Sequence, residues 1–172
     1  HFNAFGAVLG IYPRLAARIY AQYGAKSIEV VTDNPYVLAD EMYRVGFVTA
    51  DQIAQSVGVA PDSPYRVQAA LEFVLKNASE MAGHCYLRPR DIVPAVQKVL
   101  GKGCGVGVDQ IAAANKALDE TGKTIREGHC VYLAGMHRAE VRLASRMRAL
   151  LAQKVKEIPD IDNLIDKVEK RL

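Results

Sequence analysis

The residues of this chain best suited to chemistry are glycines that bend the backbone just before a helix. Gly10 precedes Ile11-Tyr12-Pro13-Arg14, and Gly46 precedes Phe47-Val48-Thr49-Ala50. A tight turn feeding a helix aims unpaired backbone N–H groups outward, where the positive end of the helix dipole favours an anion such as a phosphate. Glycine lets that anion come close, and a basic residue just inside the helix adds charge. Arg14 holds this position after the first turn, with Arg18 one helical turn further on. The second turn has Val48 and Thr49 there, and Arg44 on its near side. The first turn is therefore the expected phosphate contact. Both turns can also be read as plain connections between packed helices.

A second constellation lies near the other end. Arg138, Arg142 and Arg146 recur every four residues, with Arg148, Lys154 and Lys156 nearby and only Glu140 opposing them. On a helix this spacing gives one cationic ridge, suited to a polynucleotide backbone and to salt-dependent binding. A solvated face that also docks on another domain is the competing reading.

Third, Gly-His-Cys occurs twice, at Gly83-His84-Cys85 and Gly128-His129-Cys130, and with Cys104 and His137 it offers thiolates and imidazoles of the kind zinc takes. Adjacent residues of a strand point to opposite faces, so neither pair chelates readily and no metal site is expected. Asp62 and Asp91 are carboxylates available for base-excision chemistry, but neither comes with a supporting pattern. No catalytic residue is expected.

The elements that position these groups read as mainly helical. Half of the 172 residues are apolar and mean hydropathy is zero, enough for a real core in one domain or two small ones. No apolar run approaches the length of about 18 residues that spans a bilayer, so no membrane anchor is expected. Three widely spaced cysteines without a C-x-x-C pair suit a reducing, cytoplasmic setting. A start at His1, with neither Met nor a basic leader, reads as a piece of a longer chain. Charge is segregated. Residues 1–28 carry a net +3, residues 29–62 have six acids against Arg44 alone, and residues 137–156 come to +5. Such blocks suggest separate anion-facing and partner-facing sides.

Residues 1–60 read as short helices joined by glycine turns, with Leu15, Ile19 and Tyr23 forming one packing stripe and Thr49 a possible cap. Asn34-Pro35 marks a turn or helix start. Residues 61–135 open with Asp62-Ser63-Pro64, a cap and first-turn proline, and a helix to Ala82. A short strand at 84–87, a helix from Asp91 with Pro94 in its first turn, a flexible glycine connector at 101–107, a helix from Asp109 to Glu120 and a hairpin turning at Glu127-Gly128 follow. Strand, two helices and hairpin in that order is a winged-helix layout. Residues 136–172 are the basic helix and a tail interrupted by Pro159. In them Val141, Ala144, Ala149 and Ala152 or Val155 are expected to face inward. Ile161, Leu164, Ile165, Val168 and Leu172 make a last amphipathic stretch.

The succession Asn34-Pro35-Tyr36-Val37-Leu38, Val45-Gly46-Phe47-Val48-Thr49-Ala50-Asp51-Gln52-Ile53-Ala54, Asp62-Ser63-Pro64-Tyr65-Arg66-Val67 and Gly83-His84-Cys85-Tyr86-Leu87 resembles the RecD-like, superfamily-one DNA helicases, over most of residues 1–156. The resemblance falls in the region before the motor. It implies tandem helix-hairpin-helix motifs followed by a small helical domain, in a parent that moves 5′ to 3′ along single-stranded DNA with ATP and magnesium. No G-x-x-x-x-G-K-[ST] run occurs among the 172 residues, so no cofactor is expected in this piece. The family's hairpins favour Gly-hydrophobic-Gly. Here the first has Gly10 and Tyr12 in the two glycine places, and the second has Arg44 and Gly46. The resemblance thus implies a DNA-positioning module for single-stranded or forked DNA, through Gly10, Tyr12, Arg14, Arg18, Arg44, Gly46, Arg138, Arg142 and Arg146. Its own C-terminal motor domains are the implied further partner. A protein-docking module bracing that motor is the alternative.

Overall fold

A computed structural model describes Gly6, residues 10–101, 103–153 and 160–170, with the side chains of Ile161 and Leu164 left aside. The chain is mainly helical, as expected. It opens with α1 (Pro13–Tyr23), a short 3-10 turn (Gly24–Lys26), α2 (Ser27–Asp33), α3 (Val37–Glu41) and α4 (Phe47–Ser56). Then come α5 (Pro64–Ala82), β1 (Tyr86–Leu87), α6 (Pro89–Leu100), α7 (Val108–Glu120), β2 (Thr124–Glu127), β3 (Cys130–Leu133), α8 (Ala134–Leu151) and α9 (Ile161–Glu169). The structure divides into one compact unit to His137 and a second from Arg138 onward.

The first sixty residues contain a structural repeat offset by thirty-four positions. Gly10 and Arg44 both take left-handed backbone, at φ +63° and +62°, and Gly24 and Gly58 do so where the two helices end, at +57° and +81°. Between them Ala16 matches Ala50 and Ile19 matches Ile53, and all four are completely buried. Two helix-hairpin-helix motifs thus share one backbone course. Ile19, Val31, Leu38, Met42, Val45 and Ile53 form the small core between them.

The opposite side of α4 belongs to a larger core. Phe47, Ala50 and Ala54 pack with Val67, Leu71 and Leu75 of α5, Ile92 and Val96 of α6, Ile111 and Leu118 of α7, and Val131 of β3. Tyr36, Phe47 and Phe73 stack in sequence, with centroids 6.0 and 5.3 Å apart. The three strands make an antiparallel sheet in the order β1-β3-β2, with Tyr86 opposite Tyr132 and Glu127 opposite Cys130. Strand, two helices and hairpin therefore close as the winged layout requires.

One polar cluster joins the two cores. The Asp51 carboxylate on α4 accepts from Arg66 Nε at 2.8 Å and Nη2 at 3.0 Å, from the Tyr36 hydroxyl at 2.7 Å and from Gln55 Nε2 at 2.9 Å. Arg66 also donates to the carbonyls of Pro61, at 2.9 Å, and Leu100, at 3.4 Å. Both ionic side chains are almost buried, at 9% and 12% exposure. Burial pushes the Asp51 carboxyl up, but the bonds from Arg66, Tyr36 and Gln55 outweigh it and hold the group below its usual range. Burial first, and then the bond to Asp51, raises the Tyr36 phenol.

Several local expectations need correction. Thr49 does not cap α4, because the helix begins at Phe47 with Gly46 in the cap position. Ser63 stands at the start of α5 without a side-chain cap bond. The helix at 89–100 begins at Pro89, earlier than Asp91, which puts Pro94 inside it. In the stretch expected as a flexible connector, Val106 is anchored: it enters the core and its carbonyl accepts from Gln97 Nε2 at 3.1 Å. In the second unit Val141 is 56% exposed, and Ala144, Ala149 and Ala152 are exposed too, so the expected inward face is not covered there. Val155, Pro159 and Leu172 lie outside the described residues.

Removing one partner of the buried pair leaves the other charged and unpaired, a loss of about 3–5 kcal/mol. Asp51→Ala is therefore expected to lower the denaturant midpoint far more than an exposed change such as Asp33→Ala. The pair also sets an acid limit. Since the Asp51 pKa is depressed by folding, its stabilisation is complete above the unfolded value of about 3.9 and fades as pH falls through the lower folded value. Acid titration of stability is expected to lose this component in Asp51→Asn.

Candidate nucleic-acid interface

The two hairpins present their helix starts to solvent. Ile11 N donates back to the Gly6 carbonyl at 3.0 Å, closing the first turn, and the Tyr12 carbonyl accepts from Leu15 N at 2.9 Å and Ala16 N at 3.2 Å. Gly10, Tyr12, Pro13 and Arg14 are all exposed. In the second hairpin Val45 N donates to the Met42 carbonyl and Ala50 N to the Gly46 carbonyl, each at 3.1 Å, and Arg44, Gly46 and Val48 are exposed. At the start of α1 Pro13 has no N–H, and the Leu15 and Ala16 amides are taken by the Tyr12 carbonyl, so Arg14 brings the outward amide; at the start of α4 Phe47 is buried and Val48 is exposed. Neither α1 nor α4 has an acid in its first turn. A negative charge at such an end is favourable, and the first turn of α5 lacks an acid as well. Arg14, a cation beside the positive end of α1, gains most from an anion there.

Each hairpin is held against the helix of the other motif. Arg18 Nη2 on α1 donates to the Tyr43 carbonyl in the second hairpin. Gly10 sits so close to Ser56 on α4 that an added Cβ would stand 3.0 Å from its Oγ. Arg18 therefore braces the pair of hairpins, a role its sequence position did not suggest. Arg44 has its guanidinium carbon 5.2 Å from the centroid of the Tyr43 ring.

Three of the six acids expected around the second hairpin have partners within the fold, two of them cations. Asp51 is consumed by Arg66, Asp40 pairs with Lys123, and Glu41 Oε2 accepts from the Tyr23 hydroxyl at 2.9 Å. Lys123 also reaches Glu72 at 3.1 Å. Burial opposes the Lys123 charge, and the two carboxylates more than restore it, so its pKa is raised. Burial, followed by the bond to Glu41, pushes Tyr23 up to about 12. Counting charge by segment overstates the difference between the hairpins, because these cations come from α5 and the α7–β2 turn.

Arg138, Arg142 and Arg146 lie on α8 and are exposed, so the ridge is not turned inward. Lys154 and Lys156 lie outside the described residues. His84 and His129 are exposed, and His137 stands edge-on to Tyr132 with its Nε2 3.5 Å from Glu127. Among the described residues no group of three His, Cys, Asp or Glu is gathered as a metal set. Asp62 and Asp91 are exposed, the latter 3.8 Å from Arg90.

Paired hairpins with exposed tips, fused to a winged bundle, define a tandem helix-hairpin-helix module. Residues 2–86 match the family described as the ATP-dependent RecD2 DNA helicase HHH domain. The ATP-dependent RecD2 DNA helicase of Deinococcus radiodurans is 30% identical over 155 residues, which is 84% of this chain and 21% of that relative. Residues 2–86 are thus similar to the HHH domain of RecD-like helicases, and the chain spans about a fifth of the length of this relative.

Left-handed backbone costs a non-glycine residue about 1–2 kcal/mol, part of which glycine gives back in unfolded-chain entropy. Arg44→Gly is expected to raise unfolding stability by up to about 1 kcal/mol, read by thermal or denaturant unfolding. Gly10→Ala goes the other way. It is expected to lose about 1–2 kcal/mol through the positive φ, with the Ser56 contact added.

Proposed function

We propose that this chain is a DNA-binding and positioning module of a 5′ to 3′ helicase, and performs no covalent chemistry itself. The observation that carries this reading is the pair of exposed helix starts, free of first-turn acids, with Arg14 beside one and Arg44 beside the other. Amides and guanidinium together suit a phosphate, and the repeat offers two such points on one rigid unit. Arg138, Arg142 and Arg146 are a separate candidate contact surface on the second unit.

ATP and magnesium belong to the proposed parent. The glycine stretch at 101–107 does not fit a nucleotide: Val106 is buried, its carbonyl is occupied by Gln97, and no Lys-Ser/Thr pair follows. No step is routed through it. Among the described residues no helix is long and apolar enough to cross a membrane.

A second reading rests on α8. Val141, Leu143, Met147, Leu150 and Leu151 are all exposed there. Such a face favours protein contact, so α8 is the element through which the module docks on its motor domains if the arginines do not touch DNA.

Anisotropy of labelled single-stranded, duplex and forked DNA over a range of salt separates these uses. Binding is expected to weaken steeply with salt. Arg14→Ala is expected to weaken it several-fold and to reduce the salt slope by about one. Affinity unchanged by Arg142→Ala assigns the ridge to docking, and no binding to any DNA at low salt overturns the proposal.

A further inference from the structure

Tyr12 and Tyr43 are 85% and 78% exposed, the one in the first hairpin and the other in the second. An isolated surface aromatic calls for no explanation. These two are set apart by position and by mounting. Tyr12 occupies the cap position of α1, next but one to Arg14, and Tyr43 directly precedes the left-handed Arg44. Each hairpin tip therefore pairs one ring with one cation.

The backbone under each ring is fixed. The Tyr12 carbonyl accepts two bonds from the first turn of α1, and the Tyr43 carbonyl accepts from Arg18 of the other motif. Arg44 lies against the Tyr43 ring as a cation–π partner, which leaves most of that ring in solvent. Glycine at position 44 would relieve the backbone but remove this guanidinium. A tip that gripped phosphate alone needs neither ring, and at position 12 a small residue allows closer approach.

We infer that Tyr12 and Tyr43 are stacking platforms for unpaired nucleobases, so that the hairpins take single-stranded DNA, or the open arm of a fork, in preference to intact duplex. This rests on the DNA-binding reading above. In a duplex both faces of each base are covered by neighbours, whereas an unpaired base offers a π-face to a rigid ring. The amides and Arg14 hold the phosphate while the ring takes the base. Stacking of this kind tolerates any sequence, since every base has such a face.

The test compares a labelled thymidine oligonucleotide with a strand of equal length made abasic, which keeps every phosphate and removes every π-face, using the whole 172-residue chain. The abasic strand is expected to bind about tenfold more weakly, the effect of one or two stacked bases. Tyr12→Ala and Tyr43→Ala are each expected to lose several-fold on the thymidine strand and little on the abasic one. The Phe variants restore binding. Photocrosslinking of 5-iodouracil-substituted strands is expected to mark the peptides carrying Tyr12 and Tyr43. Equal affinity for both strands, still dependent on Arg14, overturns the stacking assignment and leaves the phosphate contact standing. Alanine variants that match the parent chain on thymidine also overturn it. No binding of either strand at low salt removes the DNA reading and this one with it.

Discussion

The geometry of the hairpins depends on a charge that the fold has taken out of water. Asp51 sits on α4, the helix that contributes to both hydrophobic cores, and its carboxylate is filled by Arg66, Tyr36 and Gln55. Arg66 spends its remaining donors on Pro61 and Leu100, so one guanidinium ties α4 to the start of α5 and the end of α6. Replacing a buried pair by apolar residues is often neutral or better for stability. What the pair supplies is direction: a rotation of α4 on the bundle that a greasy contact tolerates leaves a fork-to-fork ion pair broken. The Ala17 position of the first motif, equivalent to Asp51 by the repeat, is exposed. Among the described residues the second motif alone is fastened to the winged bundle in this way, and the first is carried by its small shared core and by Arg18.

Much of this was legible in the sequence, because it is written in short-range rules. Glycine after an apolar stripe gave the helix ends at Gly24 and Gly83, proline after a cap gave the start at Pro64, and Asn34 does bond the backbone at Tyr36, at 3.1 Å. The hairpin at Gly128 and the order of strand and helices gave the winged layout. The errors came from contacts distant in sequence. The net charge of residues 29–62 looked like a surface property, yet Asp40 is answered by Lys123 and Asp51 by Arg66. The glycine stretch at 101–107 looked free because the pull of Val106 into the core is a tertiary fact. Nothing local reveals that Tyr43 offers Arg18 a carbonyl.

The candidate interface was readable in part for the same reason. Gly10 and Gly46 announce a turn before a helix, and the helix dipole does the rest. An arginine carries no signal of its own for positive φ, and Arg44 is marked only by standing in a hairpin's first glycine place. A repeat alignment finds it: once Gly24 is laid on Gly58 and Ile19 on Ile53, Arg44 falls on Gly10 and inherits its dihedral. Tyr43 is found in the same way, as the residue before that position.

Across the two motifs only Ala16 and Ala50, Ile19 and Ile53, and Gly24 and Gly58 are identical pairs between positions 10–24 and 44–58. The alanines and isoleucines lie in the interior and the glycines where the helices end, and together they suffice to repeat the backbone. The hairpin tips share no residue at equivalent positions, Gly-Ile-Tyr-Pro in one and Arg-Val-Gly-Phe in the other, and only the second sends Val45 and Phe47 fully into the cores. Interior packing thus sets where the helix starts point, and tip composition sets what they meet. Keeping a strained arginine and an exposed tyrosine at such tips runs against stability, since glycine at 44 is cheaper and a polar residue at 12 or 43 is better solvated. The local rule is thus broken at both hairpin tips, and these exposed positions are where the proposed DNA contact falls.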